Sequence, residues 1–207
     1  MAKRSVRGDL MRRALAQEAA RIIVDHGVDD YRFAKRKAAE RMGVTDHAVL
    51  PKNTEIEAAI AEHHRLFSAR SHASELAELR REAVRAMRLL ADFEPRLVGP
   101  VLSGTATPHS EILLHVFADT PETISIRLLD GRVRHRVSER RVKFLREESR
   151  AFPSIRFTSN HHDVEAIIFP PDGIRQSPLS PVDGKPMRRA TIEEVAALAD
   201  AAEEDAQ

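Results

Sequence analysis

The hydrophobic period of this chain changes at Glu94–Pro95, and that change limits the fold more than any other feature. Upstream, apolar residues recur at helical spacing. Leu15, Ala19, Ile22 and Ile23 share one face, and Gly27 follows where a left-handed cap closes a helix. Phe33, Ala34, Ala38 and Met42 make a second stripe, closed by Gly43. Pro51 breaks the chain before a third helix. There Thr54 and Glu57 have capping-box spacing, and Ile56, Ala59, Ile60 and Phe67 supply the stripe. The polar segment Ser68–Ser74 lacks a stripe and is expected to be a linker. A fourth helix is expected from Ser74 to Leu90, with Leu76, Leu79, Ala83, Met87 and Leu90 as its seam.

Downstream of Pro95 the pattern is β-like. Leu97–Leu102 and Ile112–Phe117 are short apolar runs without polar alternation, as buried strands are. Thr120 and Pro121 open a segment to Leu129 that reads as a helix, while Ile124 and Ile126 alternate as a strand would. Val133, His135 and Val137 alternate with arginines, which predicts a half-exposed strand. Val142–Leu145 fits strand or helix. Ile155 and Phe157 start another strand, Thr158–Asp163 reads as a hairpin connection, and Val164–Phe169 is the last strong strand. Pro170–Gly173 is a turn cluster, and Pro178, Pro181 and Pro186 exclude long regular elements from the tail. Thr191 and Glu194 then cap a short final helix carrying Ile192, Val195, Ala196 and Leu198, with Ala201–Gln207 frayed. The prediction is an α+β protein: a helical N-terminal region over 1–73, then a small mixed-sheet domain over 74–207 with a proline-rich tail.

Composition narrows the function classes. The 207 residues carry a formal net charge of +1, which disfavours a generally basic coat for DNA and leaves local patches. With no Cys, disulfides, Cys-ligated zinc and thiol catalysis are excluded. The basic N-terminus is followed by no apolar signal core, and no run approaches the ~18 apolar residues of a membrane span, so a cytoplasmic protein with no membrane partner is expected. Lys35, Arg36, Lys37 and Arg41 form one basic cluster, and the phrase AAERMGVT resembles the first helix and turn of a helix-turn-helix, with Ala39, Gly43 and Val44 in the corresponding places. This supports an alternative reading as a DNA-binding regulator, although Pro51 interrupts the expected recognition helix. Arg132, Arg134, Arg136, Arg140, Arg141 and Lys143 form a denser basic stretch. On a strand its alternate arginines share one face and could meet phosphates, or Glu139, Glu147 and Glu148 neutralise them. His63 and His64 are neighbours on a helix and do not share a face; His161 and His162 read as turn residues.

The stretch LVGPVLSGTATPHSEILLHVFAD, Leu97–Asp119, resembles the signature of the nucleotidyltransferase superfamily that includes DNA polymerase beta. That pattern is a strand ending in Gly-Ser, a loop with a second Gly, then Ser-Asp-x-Asp on the next strand. Gly99 and Gly104 stand at the glycines, Ser110 precedes the acidic position, and no gap is needed from Gly99 to Val116. The tail PLSPVDGKPMRRA also looks like uncharacterised bacterial proteins that carry a nucleotidyltransferase label. The resemblance implies a nucleotidyltransferase-like domain. Its nucleotide-binding residues would be Gly99, Ser103, Gly104 and Ser110, its metal-binding residues Glu111 and Glu165, and its catalytic residues Glu111, Glu165 and His115. Magnesium would be the cofactor, activating the attacking hydroxyl and steadying pyrophosphate. Three positions depart from the pattern: Pro100 for the Ser, Glu111 for the first Asp, and Leu113, which cannot bind a metal, for the second. The expectation is therefore a degenerate metal site that binds a nucleotide, a nucleic acid or a protein partner without transfer. The alternative is an active enzyme using an altered carboxylate site.

Overall fold

The computed structural model describes residues 2–28, 30–145 and 149–206. The chain divides into two compact units. One takes in Met1–His72 with Thr107–His109 and Pro181–Asp183; the other takes in Ala73–Ala106, Ser110–Ser180 and Gly184–Gln207. Among the described residues no helix is long and apolar enough to cross a membrane.

The first unit is helical: α1 (Ala2–His26), α2 (Tyr31–Met42), α3 (Asn53–Phe67) and the first turn of α4 (Ala69–Leu89). Leu15, Ala19, Ile22, Ala34, Ala38 and Ile56 belong to its buried core, whereas Met42 and Phe67, expected at the ends of the second and third stripes, are 36% and 74% exposed. Gly27 (φ 62°) and Gly43 (φ 63°) take the left-handed conformation that ends α1 and α2. Asp30 caps α2, its carboxylate accepting from the N–H groups of Arg32 (2.7 Å) and Phe33 (3.3 Å). The start of α3 differs from expectation. The reciprocal residue is Glu55, which accepts from the Lys52 N–H at 2.6 Å, while Thr54 lies inside the helix and Glu57 accepts from the Tyr31 hydroxyl. Between α2 and α3 the chain makes only a 3-10 turn at His47–Val49, so no recognition helix follows Gly43 at once. Lys37 pairs with Glu40 and Arg41 with Glu18, both at 2.9 Å, which takes up part of the basic cluster locally.

The expected linker does not exist as a loop. α4 starts at Ala69 and runs through Ser74, because that segment contains neither Pro nor Gly and its polar residues tolerate a helix. The boundary between the units falls inside this helix.

The second unit continues along α4 into β1 (Arg96–Val98), α5 (Pro100–Ser103), β2 (Ile112–Phe117), α6 (Pro121–Asp130), β3 (His135–Val142), β4 (Arg150–Ser159), β5 (His162–Phe169) and α7 (Ile192–Ala206). The strands form one mixed sheet in the order β1-β2-β5-β4-β3. β2 and β5 are parallel, and the other neighbours are antiparallel. The α+β class with a mixed sheet after helices thus holds. Several boundaries moved. Leu97–Leu102 is a strand only to Val98, since Gly99 turns the chain and Pro100 has no N–H for a ladder; Val101 and Leu102 are buried from a helical turn instead. β4 begins at Arg150, ahead of Ile155, and α7 runs to Ala206 past the expected frayed end. Thr191 and Glu194 form the reciprocal cap foreseen for α7, at 2.8 and 3.4 Å.

One face of the sheet is covered by helices. Met87 of α4, Ile124 and Leu128 of α6 and Val195 of α7 pack with Ile112 and Leu114 in a single buried cluster. Each such residue stabilises by about 1.5–3 kcal/mol, so this face supplies most of the unit's hydrophobic stability. The opposite face carries a smaller cluster of Phe117, Phe144, Phe152, Ile167 and Phe169 at one end. The other end of that face is polar, carrying Arg156, Thr158 and Asp163. Asn160 and His161, both at positive φ, make the two-residue β4–β5 turn, and Glu82 of α4 accepts from Ser159 Oγ (3.3 Å) and Asn160 Nδ2 (3.2 Å).

Candidate functional site

The candidate residues are carried by the β1–α5–β2 segment and by β5, the parallel neighbour of β2. β1 and β2 lie side by side, with Val98 opposite Leu113, and between them Gly99 and Gly104 bracket the single turn of α5. Both glycines have positive φ, 75° and 85°. Gly99 also has ψ −155°, a region that only glycine occupies without strain. A Cβ on it would sit 3.1 Å from Leu113 Cδ1. Gly99→Ala is therefore expected to lower the unfolding free energy by about 1–3 kcal/mol, measured by urea denaturation; an unchanged midpoint would contradict the strain. Gly104 lies on the other side, near Arg80 and Leu76 of α4. Ser103 turns inward on its own loop, donating to Pro100 O (3.3 Å) and bonding Thr105 Oγ1 (2.9 Å), and Ser110 is buried.

Glu111 precedes β2, and Glu165 on β5 stands directly opposite Leu113. Alternation along the strands puts both carboxylates on the sheet face away from the helices. Their common neighbour is Arg156 of β4, which is paired in register with Glu165. Its Nη2 is 3.5 Å from Glu111, and its Nε is 3.3 Å from Glu165 Oε1. Glu165 is only 1% exposed, and two further groups hold it: Arg140 Nη1 at 2.9 Å and Ser154 Oγ at 3.0 Å. A buried carboxylate without such partners would forfeit several kcal/mol of solvation. The pairing in turn holds the Arg156 guanidinium above its usual range.

His115 occupies the same strand face one step farther on, in a separate environment. Its ring is 1% exposed and lies 4.8 Å from the Phe169 ring. Arg189, from the tail, donates through Nε to His115 Nδ1 at 3.0 Å. It also donates through Nη1 to the carbonyls of Gly173 and Ile174 (3.0 and 3.1 Å), and it stacks over Phe117 and Phe169. Burial, and then the Arg189 charge, push the His115 pKa down to about 3, so the ring is neutral at physiological pH. His115 thus contacts Arg189 and Phe169, whereas Glu111 and Glu165 meet at Arg156.

The residues present do not fit magnesium. Both oxygens of Glu165 already face guanidinium or hydroxyl donors, Leu113 offers no oxygen, and hard cations need several free oxygen ligands. Among the described residues no three His, Cys, Asp or Glu side chains gather as a metal-binding group. What the arrangement can do is hold anions and donors: a buried carboxylate clamp surrounded by arginines. Arg140, Arg156, Ser154 and Arg189 were not singled out from sequence for these contacts. Arginine alternation on β3 was the one available signal, and Arg140 answers to it. Of the acidic residues expected to neutralise that stretch, Glu139 alternates to the helix-side face, while Glu147 and Glu148 lie outside the described residues.

Compared with family models, curated proteins and solved structures, the chain finds no match.

Proposed function

We propose that the sheet unit is a nucleotidyltransferase-like module, working in the cytoplasm, that binds a nucleotide or nucleic acid and does not transfer a nucleotidyl group. The order strand, Gly99, short helix, Gly104, strand supports this reading, since positive-φ glycines without a Cβ let a phosphate approach the backbone closely. Glu111 at the head of β2 and Glu165 on the parallel neighbour β5 support it as well. One observation carries the absence of transfer: Glu165 lies opposite Leu113 and is held by Arg140 and Arg156. Such a carboxylate is neutralised where metal-assisted transfer would require it free.

Calorimetry with a nucleoside triphosphate, with and without magnesium, tests the reading on the wild type and Glu111→Ala. Triphosphate binding that is indifferent to magnesium, without pyrophosphate release, is the expected result. Magnesium-dependent binding lost in Glu111→Ala, together with pyrophosphate release by the wild type, would replace it with the active enzyme. No triphosphate or oligonucleotide binding under any condition would remove the family reading.

A further inference from the structure

The polar end of the open sheet face carries more positive charge than the carboxylates consume. Arg136 of β3 stands opposite Arg156, which stands opposite Glu165. Arg134, two residues before Arg136, lines the same open depression of about 340 Å³, and Glu111, Thr158 and Asp163 line it too. Arg156 spends its charge on Glu111 and Glu165. Arg134 and Arg136 are exposed, and among the described residues neither has an ion pair or a side-chain hydrogen bond. Arg134, just ahead of β3, and Arg136 within it repel each other and their neighbour Arg156. An anion between them relieves that repulsion, and their planar forks match the oxygens of a phosphate.

The surroundings select the kind of anion. Single-strand binding surfaces present exposed aromatic rings on which bases stack. Here the two rings at the depression are the buried Phe157 and the half-buried His135, whose Nδ1 is engaged with the Val133 carbonyl, and neither is an exposed platform. Glu111 and Asp163 would also repel a long polyanion. They are acceptors, however, and suit hydroxyl groups on a compact ligand. The volume is that of a small-molecule site.

We propose that Arg134 and Arg136, backed by Arg156, hold the phosphate of a small hydroxylated phosphate monoester, with Asp163 and Glu111 receiving its hydroxyls. This goes beyond the nucleotidyltransferase-like reading and does not use the Gly99–Gly104 turn. The test is titration of the full chain with glycerol 3-phosphate, inorganic phosphate and glycerol, followed by ligand-observed NMR or calorimetry. Glycerol 3-phosphate should bind and glycerol should not. Arg134→Gln/Arg136→Gln should weaken glycerol 3-phosphate at least about tenfold, and the double Lys variant should weaken it less, since charge survives without the fork. Asp163→Asn should weaken glycerol 3-phosphate and leave inorganic phosphate unchanged. An unaltered urea midpoint shows that these exposed substitutions leave the fold intact. The proposal is overturned if the wild type binds neither phosphate, or if the double Gln variant binds as the wild type does. Binding of a single-stranded oligonucleotide with steep salt dependence, without binding of glycerol 3-phosphate, would also overturn it, in favour of nucleic acid. Triphosphate binding retained in the double Gln variant separates failure here from failure of the family reading.

Discussion

Replacing Arg140 and Arg156 together by methionine is expected to lower the unfolding free energy of the sheet unit by about 3–5 kcal/mol. The reason is the position of Glu165. Its side chain is 1% exposed, so the double variant leaves a carboxylate sealed from water with Ser154 Oγ as its remaining partner. Adding Glu165→Leu should restore much of the loss, because an apolar side chain beside Leu113 and Ile167 needs no countercharge. Urea unfolding of the wild type, the double and the triple variant measures this. If the triple variant is no more stable than the double, the cost lies in packing of the arginine stems and the buried-charge explanation fails. The single variants should each cost less than half of the double, since either guanidinium alone still compensates the carboxylate.

Acid should destabilise both units well above the carboxylate range. The His115 pKa is pushed down from 6.5 to about 3, first by burial and then by Arg189. The His64 pKa is pushed down to about 4 by burial, with the His72 and His63 charges adding to it; its ring stacks on His72 at 3.8 Å. In the unfolded chain both rings titrate near 6.5. Between these values the unfolded state binds a proton that the native ring refuses, so stability is complete above about pH 6.5 and falls as the pH is lowered. The slope is about 1.4 kcal/mol per pH unit for each ring, until the native ring itself protonates. Chemical unfolding from pH 7 to pH 4.5 reads it, with Tyr31, the sole tyrosine, reporting on the helical unit. His115→Gln keeps an acceptor for Arg189 without the titration. It should flatten the acid limb of the sheet unit by one proton while lowering stability at neutral pH. An acid limb identical in wild type and variant would show that His115 does not contribute.

The helices were legible where the signal was local. Ile22, Ala38 and Ile60 bury as their spacing requires, although Met42 and Phe67 at the stripe ends stay exposed, and Gly27 and Gly43 terminate helices for a reason internal to one residue. The cap at Thr191–Glu194 was equally local. Misreadings arose where a local pattern admits two structures. An apolar run such as Leu97–Leu102 is buried whether it is a strand or a helical turn, and only Gly99–Pro100 decides where the ladder stops. Polar Ser68–Ser74 lacks a stripe, yet nothing in it breaks a helix.

Read alone, the amino-acid order determined the change from helical to β periodicity, the α+β class, a β4–β5 hairpin whose turn proved shorter than the expected Thr158–Asp163, and the placement of His115 on one strand, Glu111 just ahead of it and Glu165 on another. Those depend on backbone preference and on spacings of two to four residues, which any short window contains. Tertiary structure decided the partners. Arg140 lies 25 residues from Glu165, and Arg189 lies 74 residues from His115. Which of the many arginines meets which carboxylate or ring depends on strand register and on where the tail crosses the sheet. A shift of one residue would turn every one of those side chains to the other face. That is why the acidic positions could be read in the sequence, while the guanidinium clamp on Glu165 became visible only in the folded chain.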